Sequence, residues 1–560
     1  MISRFTFIGK VCMEATSMGD AFLKNPDLQR ILDTEVPLNL FFSLIAGLRI
    51  PDWQKRLTEN PESLGTIEAE VVEEFQKGAG LILVGLIAKT LKEPTFDQRA
   101  ELVRKQYIHP LTKGKPRMLS VTIGCGSELV VSTQYCEPVR NLENKREPGS
   151  PHVPGLDIEM SQFGFTKLES PYFQSRVARA VTLAPSIELA RQELARQGID
   201  LDIKSVRRIT LDCGRNLLNL RERELQAFDE GNLESTNELK GKRVSVQIDG
   251  GRTRIRSGIL GFEPVSLPTV DISDLNTQGI PGRRKRSKKV RRKVLFHWRE
   301  PKLIRIFVHD DEGNLVKEAT STLDGTFNGP DQVARLVAMH LHQLGIAEAK
   351  SLSFVSDGAV WIWDRIDQIV TMAKVPATVI VEEVLDCCHA VQHVHVAIKS
   401  LGVVGQSLRK SYNAMRSDLR NGEWRKVITE LRELEVEKRG SMSSESTKDF
   451  ERELNYLETH GAASRLDYAR YKLSGIPMGS GAIESSVRRV INQRMKSNGT
   501  HWRAENAEIM LQLRCTLLCD RWDARLAQAR RTMRENGTQS FQLAFQERAK
   551  KLEVADSLSE

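Results

Sequence analysis

Apolar residues recur at helical spacing through the first hundred or so residues, from Leu38 to Leu48 and again from Glu68 to Leu91, and each stretch predicts a helix with one buried face. The pattern changes to strand-like alternation between Arg117 and Tyr135. There Ser120-Val-Thr-Ile and Glu128-Leu-Val-Val-Ser-Thr flank Gly124-Cys-Gly and predict a hairpin, followed by a loop rich in Pro, Gly and charge from Glu137 to Gly155. Helical spacing returns from Ser186 to about Arg223, broken by Gly198 and the Asp200-Leu-Asp202 turn. The two halves predict short crossing helices, either a DNA-reading helix-turn-helix that presents Lys204, Arg207 and Arg208 or an ordinary helical hairpin in a bundle.

Alternation then resumes in Val244-Ser-Val-Gln-Ile-Asp249, in Val294-Leu-Phe-His-Trp298 and in Leu303 to His309, where the acidic turn Asp310-Asp-Glu-Gly313 ends it. Beyond that the predicted order is helix (Gly329 to Leu344), strand (Leu352 to Val355), helix (Trp361 to Ala373), strand (Ala377 to Val381) and helix from about Cys388. Strands grouped first and then alternating with helices imply an α/β fold, a mixed sheet with flanking helices. A mainly helical N-terminal region precedes it.

Composition narrows the setting. The 560 residues carry a net charge of +9, which favours polyanionic partners without requiring one. The length suggests about three or four folding units. The longest apolar run, Gly80 to Ala88, is too short to span a bilayer, and the N-terminus lacks the pattern of a secretory signal. The eight cysteines are scattered, so a reducing cytoplasm is the expected location. Charge is densest in Arg283-Arg-Lys-Arg-Ser-Lys-Lys-Val-Arg-Arg-Lys293, within a loop from Leu260 to Val294. Such a run either serves solubility or grips phosphate, here through Arg283, Arg284, Lys285, Arg286, Lys288 and Lys289.

Three carboxylates stand where metal chemistry would need them. Asp249 ends one predicted strand; Asp357 ends another and precedes Gly358; Glu484 follows the turn-like Gly479-Ser-Gly-Ala and opens a helical stretch rich in Arg. Two strand-end acids and one on a helix can converge on two divalent ions roughly 4 Å apart, the arrangement used for in-line displacement at phosphorus. Asp364, Asp367 and Asp386 compete with Asp357, but only Asp357 directly follows an apolar strand and precedes a glycine that permits close approach. Arg488 lies one turn beyond Glu484, able to contact phosphate or orient the carboxylate. The cluster Cys387, Cys388, His389, His393 and His395 offers zinc ligand types without a second well-spaced pair. Small buried cysteines, with His389 as a hydrogen-bonding or proton-transferring group, fit it better. No phosphate loop of the Gly-Lys-Ser type is present, so no nucleotide cofactor is expected.

The blocks Gln247-Ile-Asp-Gly250, Ser356-Asp-Gly-Ala-Val-Trp-Ile-Trp363, Leu385-Asp-Cys-Cys-His-Ala390 and Gly475-Ile-Pro-Met-Gly-Ser-Gly-Ala-Ile-Glu-Ser485 resemble those of large bacterial insertion-sequence transposases of the DDE class. The likeness continues through Arg494-Met-Lys496, Gly499 and Trp502. It covers residues 240–515 well and 115–225 more loosely. It implies a ribonuclease-H-like core with Asp249, Asp357 and Glu484 as ligands of two Mg²⁺ ions, with Mn²⁺ as a substitute. It also implies a helical insertion before the glutamate, His389 beside the scissile phosphate, and Arg488, Arg494 and Lys496 on DNA. Relatives often carry a Cys-x-x-Cys near the hairpin, whereas here Cys136 is followed by Glu137-Pro-Val139, which speaks against a structural zinc.

The organisation expected on this basis is a helical N-terminal region (1–115), a hairpin and helix-turn-helix-like DNA-binding region (116–240), a first core segment (241–398), a helical insertion (399–474), a second core segment (475–535) and a tail (536–560). The function implied is metal-dependent cleavage at transposon ends and strand transfer into target DNA. The partners would be terminal inverted repeats and target DNA, bound by a homodimer or larger synaptic assembly in a bacterial cytoplasm. The alternatives are a DNA endonuclease on the same fold and a catalytically idle, transposase-derived DNA-binding protein.

Overall fold

The computed structural model describes residues 45–106, 111–124, 126, 128–138, 156–165, 167–259, 294–496 and 500–536. The expected loop from Glu137 to Gly155 and the basic residues Arg283, Arg284, Lys285, Arg286, Lys288 and Lys289 lie wholly or almost wholly outside them. Two compact units are present, one formed by residues up to Asn232 together with those from Gln512 onward, the other by Leu233–Leu511. No helix among the described residues is long and apolar enough to cross a membrane.

The first unit opens with helices α1 (Ile50–Glu59), α2 (Leu64–Leu91) and α3 (Pro94–Gln106). Strands β1 (Leu111–Thr122) and β2 (Glu128–Pro138) form the expected antiparallel hairpin, and β3 (Leu156–Asp157) adds a short third strand. The hairpin packs Val121, Ile123 and Val131 against Met160 of the short α4 (Ile158–Gln162) and Phe165 just beyond it. Three capped helices follow. Ser170 caps α5 (Pro171–Leu183), Ser186 caps α6 (Ile187–Arg196) and Asp202 caps α7 (Ile203–Asp229), each side chain accepting from backbone N–H groups of the first turn. The break predicted at Gly198 and the Asp200-Leu-Asp202 turn is present, between Arg196 and Ile203. The second helix is not short, however: its 27 residues bury Val206, Ile209, Leu217, Leu218 and Leu225 as a continuous face.

The second unit is built on a five-stranded mixed sheet ordered β10-β9-β4-β7-β8, from β4 (Arg243–Gly250), β7 (Lys302–His309), β8 (Thr322–Thr326), β9 (Ser351–Ser356) and β10 (Ile380–Leu385). Strands β4 and β7, and β7 and β8, are antiparallel, whereas β9 runs parallel to both β4 and β10. Between β4 and β7 the chain makes a separate two-stranded ribbon, β5 (Thr253–Ile259) with β6 (Val294–Arg299). Helix α8 (Pro330–Leu344) covers the sheet face that carries Val244, Val246, Ile248 and Asp324, and His340 Nε2 lies 2.9 Å from Asp324 Oδ2. Two short helices, α9 (Val360–Trp363) and α10 (Ile366–Met372), replace the single one expected after Asp357.

Helix α11 (Cys387–Ser400) follows β10 and packs on the helical insertion, α12 (Gly405–Arg420), α13 (Trp424–Lys438), α14 (Ser444–Ala462) and α15 (Tyr468–Leu473). The insertion returns the chain to α16 (Gly481–Val487), which a π turn extends through Asn492.

Helices α17 (Ala504–Leu518) and α18 (Trp522–Asn536) end the described chain. Residues from Gln512 belong to the first unit, where Arg221 donates to Gln512 Oε1 at 2.9 Å, Trp522 donates to Ser175 Oγ at 2.9 Å and Arg525 pairs with Glu224 at 2.6 Å. The buried side of α7 is therefore the core against which the C-terminal helix packs, and burial of Trp522 and Leu526 there drives the association.

Candidate active site

Two of the expected acids meet through strand register. In the parallel pair β4–β9, Ile248 is the Cα partner of Ser356, so Asp249 and Asp357 are the next residues out at the same edge of the sheet. Side chains alternate between faces along a strand, which puts Ser245, Gln247 and Asp249 on one face and Val244, Val246 and Ile248 on the face covered by α8.

Glu484 is brought to the first of these faces by polar side chains that the strands project there. Gln247 donates to Gly479 O at 2.9 Å and accepts from the Ile483 N–H at 3.0 Å. Arg305, the Cα partner of Gln247 on β7, donates to Ala482 O at 3.0 Å and to Ser486 Oγ at 3.1 Å. Both bracket Glu484 in sequence. Ser480 Oγ donates to Glu484 Oε1 at 3.1 Å and holds the carboxylate from its own turn.

Asp386 completes the group. Its buried carboxylate caps α11, accepting from the His389 N–H at 2.8 Å, and lies 3.1 Å from His389 Nδ1; it also accepts from the Ser480 N–H. Ligand atoms of Asp386, His389 and Glu484 lie within 4.8 Å of one another. Burial by itself would raise the Asp386 pKa, but the hydrogen bonds from His389 and Ser480 outweigh it and hold the carboxyl at about 2. The His389 pKa is raised, first by its hydrogen bond to Asp386 and then by the charges of Asp386, Asp357 and Glu484. Asp249 is pushed up to about 6, chiefly by burial, with Asp357 and Glu484 adding like-charge repulsion and His389 opposing it. Asp249, Asp357, Glu484 and His389 therefore share one electrostatic neighbourhood.

The insertion adds groups that the sequence did not single out. Tyr456 on α14 lies against Gly358, where a Cβ would come within 2.1 Å of its ring, and its hydroxyl is near enough to feel the charges of Asp357 and Asp386. His393 stacks on Tyr456 at 3.6 Å between centroids and hydrogen bonds to Glu453, so it faces the insertion and does not join His389 around a shared metal. Cys387 is buried, but Cys388 is exposed, which corrects the expectation that both are buried.

The residues expected on DNA divide. Lys204 and Arg207 are exposed on the first turns of α7, whereas Arg208 is ion-paired with the buried Glu169 and approaches Asp212 at 3.7 Å. Arg208 is therefore committed within its own unit. Arg488 and Lys496 are exposed, and Arg488 pairs with no carboxylate among the described residues, Glu484 included. Arg494 corrects the expectation: it is buried, with its guanidinium 5.2 Å from the Trp502 ring centroid.

Gln247, Ser480 and Arg305 were not assigned roles from sequence, and Asp386 entered only as a competitor of Asp357 and as part of the Asp386-Cys-Cys-His389 block that the resemblance sets beside the active site. A signal existed for two of them, since Asp386 stands at an N-cap position before a helical run and Gln247 shares the alternation phase of Asp249. No family model matches the chain, and no curated protein or solved structure is detectably similar to it.

Proposed function

We propose that this chain is a metal-dependent DNA transposase of the DDE class, with a ribonuclease-H-like core and Asp249, Asp357 and Glu484 as its catalytic acids. The observation that carries the reading is the meeting of two adjacent parallel strand ends, bearing Asp249 and Asp357, with a turn-and-helix that Gln247 and Arg305 dock on the same face. The sheet order, three antiparallel strands followed by two parallel ones with the first strand central, supports the ribonuclease-H-like assignment, as do the sequence blocks.

The donor set fits hard divalent cations. Carboxylate oxygens are the ligands Mg²⁺ and Mn²⁺ prefer, and the residues gathered here, Asp249, Asp357, Glu484 and the neighbouring Asp386, supply them. When bound, a pair of such ions supplies Lewis acidity to the attacking and leaving oxygens at phosphorus. The protein's own contribution is positional. Register places Asp249 and Asp357, Ser480 orients Glu484, and Asp386 holds the His389 imidazole by its Nδ1 so that Nε2 is left to meet a phosphate oxygen or transfer a proton. A 3′-hydroxyl freed by cleavage would then attack target DNA in the same site, in a dimer or larger assembly that holds two ends.

The discriminating experiment follows a labelled 3′ end. Its appearance in target DNA identifies a transposase, cleavage without joining identifies a nuclease, and neither, with DNA binding retained, identifies an idle DNA-binding protein.

A further inference from the structure

The β5–β6 ribbon has two unlike faces. On one, Thr253 and Ile255 are buried; the Thr253 hydroxyl donates to Met495 O at 2.8 Å, and the chain at Trp502 pairs beside β5, with Arg256 N donating to Trp502 O at 2.8 Å and Trp502 N to Arg254 O at 3.0 Å. On the other, cross-strand partners alternate cation and ring: Arg254 opposite Trp298 and Arg256 opposite Phe296. Phe296 is 46% exposed and Trp298 52%. The Arg254 guanidinium lies 5.8 Å and 5.5 Å from the two ring centroids, and His501 stacks on Phe296 at 4.8 Å.

Single exposed rings are ordinary, but two on one ribbon face with arginines opposite them form a surface of a definite chemistry. We propose that this face is a stacking platform for the unpaired bases of single-stranded DNA, an inference that rests on the DNA-processing reading above. Three observations select this occupant. Exposed aromatic faces accept any base by stacking, and the arginines beside them supply cation–π contact and phosphate attraction, the combination that grips single strands. Charge complementarity favours a polyanion over an apolar partner, since Arg252 and Arg256 are also exposed and the connection between the strands carries the Arg283-to-Lys293 run in its sequence. Position agrees as well. Arg254 follows Asp249 by five residues, a reach of at most about 17 Å in extended chain, so a strand held at the acids meets the ribbon within about five nucleotides. In a duplex the base faces are already covered by their neighbours, so intact double helix would engage only the cations.

The test is fluorescence anisotropy with the full chain, no metal added, and two probes, a labelled oligothymidylate of about 12 nucleotides and a blunt duplex of about 12 base pairs. Trp298→Ala and Phe296→Ala should each weaken oligothymidylate binding about tenfold and leave duplex binding within about twofold, while Trp298→Phe keeps the single-strand affinity within about threefold. Half-exposed rings tolerate truncation, and a thermal melt of each variant confirms that it is folded. Unchanged oligothymidylate affinity in folded Trp298→Ala and Phe296→Ala, equal loss on both probes, or no oligothymidylate binding by the unaltered protein overturns the proposal. Loss of self-association in these variants with single-strand affinity intact overturns it in favour of a protein contact. Because the readout needs neither metal nor cleavage, it stands or falls separately from the catalytic reading.

Discussion

Gln247 and Ile483 are joined by a hydrogen bond of 3.0 Å in which the buried side-chain amide oxygen of β4 accepts from the backbone N–H of α16, one residue before Glu484. The same side chain donates to Gly479, so one glutamine sets the approach of the turn and the helix to the sheet. Gln247→Leu keeps the approximate volume and leaves the Ile483 N–H and the Gly479 carbonyl without this partner. It should lower stability by about 1–3 kcal/mol in denaturant unfolding and cut metal-dependent cleavage more than DNA affinity. Cleavage and stability equal to those of the unaltered protein would show that the helix is held without it.

Gly358 and Tyr456 make the second critical approach. A Cβ at Gly358 would sit 2.1 Å from the Tyr456 ring, so Gly358→Ala must push α14 or the strand-end turn aside, at a cost of about 1–3 kcal/mol. Truncating the ring removes the clash. The double variant Gly358→Ala/Tyr456→Ala should therefore be less destabilised than the sum of the two single variants, and simple additivity would place the clash elsewhere.

His460 gives stability a pH dependence. Burial, aided by Arg465 and His393, lowers its pKa from 6.5 to about 4. The folded state thus binds fewer protons than the unfolded one between these values, so stability is full above about pH 6.5 and falls as the pH drops towards 4. Relative to His460→Gln, which does not titrate, the unaltered protein should lose up to about 3 kcal/mol over that range. Parallel curves for the two proteins would mean that His460 is protonated in place.

Within the first unit, Arg208 should behave as a structural residue and Lys204 and Arg207 as surface ones. Arg208→Gln leaves the buried Glu169 without its partner and should cost about 1–2 kcal/mol. Lys204→Gln and Arg207→Gln should stay within about 0.5 kcal/mol of the unaltered stability, and each should reduce the salt dependence of DNA binding by about one unit if its cation touches phosphate. An unchanged salt slope in both would move the DNA surface away from α7.

Much of the sheet was legible because strands such as Val244-Ser-Val-Gln-Ile alternate apolar and polar residues, with the apolar set against α8, and because the two strands at the site stop at an acid, Asp249 and Asp357. The strand β8 was not, since Asp and Gly are poor strand formers, and the contact of Asp324 with His340, which helps to make that position favourable, is tertiary. The last strand was expected three to four residues early, at Ala377 to Val381, because Glu382 and Glu383 look like loop residues until Arg470 and Arg465 pair with them. The ribbon strand β5 was missed for a related reason: its alternate positions carry arginines. Asp386, Ser480 and Tyr456 reach the site from separate segments, and periodicity holds no information about such meetings.

The central claim is that Asp249, Asp357 and Glu484 act together on one phosphodiester. It is tested most directly by incubating the protein with Mg²⁺ and DNA carrying the sequences that flank its gene, and following cleavage and 3′-end joining for the unaltered chain and for Asp249→Asn, Asp357→Asn and Glu484→Gln. The account predicts metal-dependent cleavage and joining by the unaltered protein, and loss of both in all three variants with end-DNA binding retained. Cleavage at the unaltered rate in any one variant, or cleavage that persists in a chelator, would contradict it.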